Sequence, residues 1–237
     1  LFVITAIAIL FVSLTTKAQA NTDKTTVESN ESTTAVRYKA VKIDNLDIFY
    51  REAGNPTKPA ILLLHGFPTS SHMFRNLMPI LAKEFYIVAP DYPGYGYSSM
   101  PKVTEYDYTF ENLSQVMEKF ASVVGIKKYS LYVQDYGAPI GYRLAARNPE
   151  KVQALIIQNG NAYEEGLRDF WKAFKAYWKD RSQENEKVLR GYLTHDVTKW
   201  QYTHGTRNPN GISPDTWTVD QYLLDREGNK EIQIKLF

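Results

Sequence analysis

The chain has 237 residues, of which 43% are hydrophobic, and this length and content are ample for a buried core. A net charge of only +2, without any run of Lys and Arg, excludes the basic surface that a nucleic-acid-binding protein needs. The chain contains no cysteine, which excludes disulfides and thiolate metal sites, and we expect neither a metal nor a cofactor.

The N-terminal 34 residues predict a secretion signal and a leader. The first 14 residues are almost entirely apolar, and the small residues of Ala18-Gln19-Ala20 follow them. Because a membrane span needs about 20 apolar residues, we expect a signal peptide over 1–20, lacking its charged n-region, rather than a stable membrane anchor. The polar segment 21–34 predicts a disordered leader. The protein is therefore expected to be periplasmic or secreted.

Residues 35–162 alternate predicted strands and helices. The apolar and β-branched runs predict strands, and apolar residues at helical spacing predict helices. The expected strands are Val36–Ile43, Leu46–Glu52, Ala60–Leu64, Phe85–Ala89, Lys128–Val133 and Val152–Gln158. The expected helices run from Ser70 or Ser71 to Leu81, from Leu113 to Val124 and from Gly137 to Arg147. This order predicts the α/β class, with a mostly parallel sheet covered by helices on both faces.

Beyond residue 162 the alternation stops, and 163–230 is predicted to be helical. An apolar stripe begins at Leu167 and continues through Phe170, Trp171, Phe174 and Trp178. We interpret it as a packing surface rather than a cofactor site. A helical insertion at this point is expected to form a cap over a pocket. Residues 231–237 alternate again and predict either the exit of the cap or the start of a returning strand.

Asp135 is the principal candidate for a catalytic residue. It lies at the centre of Val133–Gly137, between a predicted buried strand and a predicted helix, where hydrolases place a nucleophilic serine in a G-x-S-x-G turn. A carboxylate there attacks an electrophilic carbon and forms an ester without a base to activate it. The positive end of the following helix is expected to favour its ionised form. The alternative is that Asp135 only caps this helix.

The loop His65-Gly66-Phe67-Pro68 directly follows the buried strand Ala60–Leu64. In hydrolases of this architecture that loop supplies one backbone N–H to the oxyanion hole, and the residue after the nucleophile supplies the other. We therefore expect Phe67 and Tyr136 to be the two donors. His65 is interpreted as shaping the loop, together with Gly66 and Pro68, rather than as a base.

The chain resembles the α/β-hydrolase fold family in three motifs. These are His-Gly-Phe-Pro at 65–68, Asp-Tyr-Pro-Gly-Tyr-Gly-Tyr-Ser at 91–98 and Val-Gln-Asp-Tyr-Gly at 133–137, all in the expected order. The aspartate at the nucleophile position resembles the epoxide hydrolase and haloalkane dehalogenase branch. The resemblance implies the hydrolase fold, a cap at 163–230 and a small apolar electrophilic substrate.

Two positions bear on the choice between the branches. Haloalkane dehalogenases usually have tryptophan after the nucleophile and a polar residue in the loop motif, where this chain has Tyr136 and Phe67. Epoxide hydrolases also prefer that tryptophan, but they usually have His-Gly-Phe-Pro in the loop, as this chain does. We favour an epoxide hydrolase, in which cap tyrosines polarise the epoxide oxygen, with haloalkane dehalogenase as the alternative. The candidate tyrosines are Tyr163, Tyr177, Tyr192, Tyr202 and Tyr222. A non-catalytic binding protein on the same scaffold is the alternative from another class.

The base and the acid of the family have no evident counterpart. The resemblance places a histidine after the final strand, but His65 and His72 precede Asp135, and His195 and His204 lie in the predicted cap. We therefore expect a fragment whose C-terminal strands, acid and histidine lie beyond residue 237, and which is inactive as it stands. The alternative is a short protein that recruits one of the two cap histidines.

Overall fold

The computed structural model describes residues 34–237, so the predicted signal peptide and nearly all of the predicted leader lie outside the described residues. Within the described residues, no helix is long and apolar enough to cross a membrane.

A six-stranded mixed sheet forms the centre of the fold, in the order β1-β2-β4-β3-β5-β6. Three of its pairings are parallel, β3 with β4, β3 with β5 and β5 with β6, whereas β2 pairs antiparallel with both β1 and β4. The predicted α/β class with a mostly parallel sheet is confirmed. The strands are β1 (Arg37–Ile43), β2 (Leu46–Ala53), β3 (Ala60–Leu64), β4 (Tyr86–Pro90), β5 (Tyr129–Gln134) and β6 (Val152–Gln158).

Helices cover both faces of this sheet except at the edge strand β6, where residues 153–158 are exposed. The helices are α1 (Met78–Leu81), α2 (Phe110–Val123), α3 (Gly137–Arg147), α4 (Lys172–Lys179), α5 (Gln183–Arg190), α6 (His195–Thr203), α7 (Asp215–Leu224) and α8 (Asn229–Leu236). On β3, Leu62 and Leu64 pack under α2 and α3, while Ile61 and Leu63 face the segment around α1. Burial on both faces explains why this strand reads as a continuous apolar run.

The single helix predicted from Ser70 or Ser71 to Leu81 is wrong. A 3₁₀ turn covers Ser71–Phe74, with the Ser70 hydroxyl accepting the His72 N–H at 3.3 Å, and α1 begins separately at Met78. Pro79 explains the break, because it has no N–H to donate and its ring crowds the preceding turn, so it is tolerated only in the first turn of a helix.

The residues after β6 are helical, as expected for 163–230, but the strand considered for 231–237 is wrong. Asn229–Leu236 forms α8, in which Glu231 and Lys235 are exposed at helical spacing. An alternating strand would turn Gln233 towards solvent together with those two residues. Instead Gln233 is buried, and its side-chain oxygen accepts a hydrogen bond from the Tyr95 hydroxyl at 2.6 Å.

Candidate active site

The predicted sharp turn at Asp135 is confirmed. β5 ends at Gln134, α3 begins at Gly137, and Asp135 has a φ of 50°, a left-handed conformation that few residues other than glycine adopt. Gly137 is required by the same turn, since an added Cβ would lie 2.2 Å from the carbonyl oxygen of Leu64. The turn therefore holds the Asp135 side chain at the carboxyl edge of the sheet.

The Asp135 carboxylate accepts hydrogen bonds from the two predicted oxyanion donors. Its Oδ1 accepts the Phe67 N–H at 2.9 Å and the Tyr136 N–H at 2.7 Å. A helix-capping aspartate would instead bond to an N–H within the first turn, and α3 has no side-chain cap. The capping alternative is therefore wrong, and one carboxylate oxygen occupies the position between both donors.

Two opposing effects act on the Asp135 carboxyl. Burial raises its pKa above the ordinary value, and the two backbone hydrogen bonds from Phe67 and Tyr136 lower it. Burial is the larger effect, so the pKa is raised overall. The N–H of Phe67 in the loop and the N–H of Tyr136, directly before the helix, favour the ionised form, but they only partly offset the loss of hydration.

His65 is fully buried behind the loop and lines no cavity with Asp135. Its Nδ1 lies 3.0 Å from the Gly66 carbonyl oxygen, and its ring stacks on Tyr92 at 4.0 Å between centroids. Burial lowers its pKa to about 4, so the ring is neutral near pH 7. In the same loop, the Phe67–Pro68 peptide bond is cis. These contacts are compatible with the predicted role of His65 in shaping the loop.

A cavity of about 370 Å³ opens beside Asp135, within the usual range for small-molecule sites. The cap and the ends of β6 and α8 form most of its wall. Its lining residues are Phe110, Asp135, Tyr136, Pro139, Asn159, Asn161, Leu167, Trp171, Phe174, Trp178, Arg181, Leu236 and Phe237. A second cavity of about 60 Å³ also contacts Asp135, together with Phe67, Tyr136, Phe170, Trp171, Phe174, Tyr192, Gln201 and Phe237.

Sequence reasoning missed several of these lining residues. Asn159 and Asn161 directly follow β6, and the carboxyl end of a parallel strand is where such folds bind ligands, so their position was a usable signal. Arg181 carried no signal, because only the packing of α4 against Phe67 and Phe237 brings its turn to the cavity.

Only one of the five candidate cap tyrosines lines a cavity with Asp135. This is Tyr192, whose ring centroid lies 5.0 Å from that of Phe174. The Tyr192 hydroxyl has no hydrogen-bond partner within residues 34–237. Tyr202 donates its hydroxyl to a carboxylate on α7, and Tyr177 is buried. The two others are exposed, Tyr163 and Tyr222.

None of the four histidines lines either cavity beside Asp135. His195 is exposed and lies 3.5 Å from the Asp196 carboxylate, and the exposed His204 stacks on Trp200 at 4.6 Å. Neither cap histidine is therefore placed to serve as the base. Among the residues that the structure describes, no group of three or more His, Asp or Glu side chains is arranged to hold a metal ion.

Two curated proteins are similar to this chain in sequence. An uncharacterized hydrolase of Saccharomyces cerevisiae, YNR064C, is 41% identical over 206 residues, which cover 85% of this chain and 70% of the yeast protein. A haloalkane dehalogenase of Mesorhizobium japonicum is 35% identical over 159 residues, covering 66% of this chain and 48% of the dehalogenase. The chain thus spans about half the length of that dehalogenase.

Solved structures share the fold. Cfl2 of Burkholderia cenocepacia superposes with a TM-score of 0.71 at 25% identity, covering 84% of this chain and 69% of Cfl2. A provisionally assigned epoxide hydrolase of Pseudomonas aeruginosa superposes with a TM-score of 0.70 at 19% identity, covering 85% of this chain and 69% of the Pseudomonas protein. The sequence model of the alpha/beta hydrolase fold matches residues 59–193. The chain belongs to the α/β hydrolase fold family.

Proposed function

We propose that the protein is an epoxide hydrolase that forms an ester on Asp135. The observation that carries this proposal is the pair of hydrogen bonds from Phe67 N–H and Tyr136 N–H to the same oxygen, Oδ1. Because Oδ1 is held by both donors, Oδ2 is the oxygen left to attack. The apolar and aromatic lining of the adjoining cavity suits a small apolar electrophile.

In the first step, Oδ2 of Asp135 bonds to an epoxide carbon while the bond from that carbon to the epoxide oxygen breaks. The released alkoxide takes a proton from the Tyr192 hydroxyl, the one cap phenol that lines a cavity with Asp135. In the second step water, losing a proton to a base, adds to Cγ of the ester, and the negative charge forms on Oδ1 between the Phe67 and Tyr136 N–H groups. The Cγ–Oδ2 bond then breaks, the proton passes to the departing oxygen, and the diol leaves while the Asp135 carboxylate is restored.

The second step requires a base to activate water. Since no histidine lines either cavity beside Asp135, we expect the 237-residue chain to accumulate the ester and to hydrolyse it only slowly. Treatment with a small epoxide should add one epoxide mass, which peptide mapping should locate on Asp135. Asp135→Ala should abolish the adduct. Equal labelling of the alanine variant would refute the nucleophile, and no adduct with any electrophile would favour a non-catalytic binding protein.

Haloalkane dehalogenation is the second candidate, and Trp171 favours it. This residue lines both cavities beside Asp135, and its indole N–H has no hydrogen-bond partner within residues 34–237. Such an N–H suits a departing halide, and the relatives include haloalkane dehalogenases.

Two matched variants separate the candidates. For epoxide opening, Tyr192→Phe should slow ester formation on Asp135 by about 10²-fold, the usual contribution of a positioned proton donor, and Trp171→Phe should leave it nearly unchanged. For dehalogenation, Trp171→Phe should slow halide release from a bromoalkane, and Tyr192→Phe should not. Ester formation rates and bromide release measure these outcomes.

A further inference from the structure

The larger cavity beside Asp135 contains a single cationic side chain. Of its lining residues only Asp135 and Arg181 are charged, and the others are apolar, aromatic or amide side chains. A substrate that reaches Asp135 through this cavity therefore meets one positive group on its way.

Arg181 is exposed to solvent where it lines the cavity, and the protein does not neutralise it. It lies in the turn between α4 and α5, with its guanidinium 4.8 Å from the ring centroid of buried Tyr177. The neighbouring carboxylate of Asp180 accepts instead from the Asn185 amide at 3.3 Å. No carboxylate of residues 34–237 lies within 4.0 Å of the Arg181 guanidinium, whereas Arg190 of the same cap bonds to Glu186 at 2.8 Å.

We propose that Arg181 selects substrates that carry a carboxylate at the end remote from the reacting carbon. The proposal rests on the proposed function and names its substrate class, an epoxy or halogenated carboxylic acid with an apolar chain. The planar guanidinium pairs with a carboxylate through two parallel N–H donors, and its contact with the Tyr177 ring leaves those donors free for a ligand. The cation also offsets the repulsion between an anionic substrate and Asp135.

Binding of an unreactive acid tests this selectivity without any chemistry. Trp171 and Trp178 line the cavity, so their fluorescence should report binding of hexanoate and of its neutral counterpart hexanamide. Hexanoate should bind the wild type more tightly than hexanamide. Arg181→Gln should weaken hexanoate binding about tenfold and leave hexanamide binding unchanged. Arg207→Gln, which removes an exposed arginine outside the cavity, is the matched control and should change neither.

Three results would overturn the proposal: no preference for hexanoate in the wild type, the same hexanoate affinity in Arg181→Gln, or an equal loss for acid and amide. The rates of ester formation on Asp135 with 5,6-epoxyhexanoate and with its amide then separate the two levels of the argument. If neither compound labels Asp135, the proposed function fails. If both label it equally fast in the wild type and in Arg181→Gln, only the role of Arg181 fails.

Discussion

Gly66 is the residue whose missing side chain lets the loop after β3 reach Asp135. An added Cβ would lie 2.2 Å from the Gln134 Oε1 and 2.4 Å from the Asp135 Cβ, both far inside contact distance. Gly66→Ala must therefore move the neighbouring Phe67 N–H away from Asp135 Oδ1. Because losing one oxyanion donor costs about 10²–10³ in rate, we expect hydrolysis of the Asp135 ester to slow by that factor.

A matched glycine provides the control for this prediction. Gly191 lies between α5 and α6, its φ is negative, and an added Cβ would meet nothing within 4 Å. Gly191→Ala should leave both the labelling of Asp135 and the decay of the label unchanged. The measurement is the rate at which a preformed ester on Asp135 loses its label. An unchanged rate in Gly66→Ala would contradict the close approach of Gly66 to Asp135.

At the scale of single residues, the part of the site that local chain order determines was predictable. Asp135, Tyr136 and Phe67 follow directly from two short motifs, because each lies at the end of a strand that the apolar pattern already marks. Tyr192 and Arg181 were not distinguishable from other cap residues. Their positions depend on how the cap helices pack over the sheet, and neither residue carries a motif.

Among the elements, α8 shows where a periodic pattern misleads. The alternation over 231–237 predicts a strand when Gln233 is assumed to face solvent. In the structure Gln233 is buried and bonds to Tyr95, 138 residues away, and the Asn229 amide donates to the Gly94 carbonyl at 2.6 Å. A polar side chain whose partner lies that far along the chain cannot be recognised as buried from local sequence.

These contacts predict that Gln233 fastens α8 to the loop that carries Tyr95. Gln233→Leu leaves the buried Tyr95 hydroxyl without its acceptor, which should lower the free energy of unfolding by about 1–3 kcal/mol in urea denaturation. Combining it with Tyr95→Phe should recover part of that loss, since the unpaired hydroxyl is then gone. Glu231→Gln, on the exposed face of α8, should cost less than about 0.5 kcal/mol. If the double variant lost the sum of the free energies of unfolding that the two single variants lose, the hydrogen bond between Tyr95 and Gln233 would be contradicted.

For the molecule as a whole, the α/β class was predictable because the alternation of strand and helix patterns is strong from Val36 to Gln158. The strand order was not readable from local patterns, since it depends on pairings between distant segments such as β3 with β5. The same long-range packing buries ionisable groups in positions that the sequence does not reveal, and these groups set how stability depends on pH.

Asp220 provides the clearest example of such a buried group. It lies on α7, fully buried, and accepts a hydrogen bond from the Tyr202 hydroxyl of α6. Burial raises the pKa of its carboxyl from 3.8 to about 6, although Tyr202 and the nearby Arg75 act in the opposite direction. Between about pH 4 and pH 6 the folded protein keeps a proton that the unfolded chain releases, so this group lowers stability as pH rises.

Asp220→Asn should remove that pH dependence while keeping an oxygen that accepts the Tyr202 hydroxyl. Relative to the wild type, the variant should therefore gain up to about 3 kcal/mol in the free energy of unfolding between pH 4 and pH 7. His65 and His72, whose pKa values are lowered to about 4, destabilise the folded state as pH falls, but they do so equally in both proteins and cancel in the difference. Urea denaturation at pH 4 and pH 7 measures this gain in the free energy of unfolding. Asp196→Asn, at a fully exposed side chain, should show almost no such gain. An Asp220→Asn difference that is the same at both pH values would mean that this carboxyl titrates alike in the folded and unfolded protein, and that the packing of α6 and α7 does not control its proton.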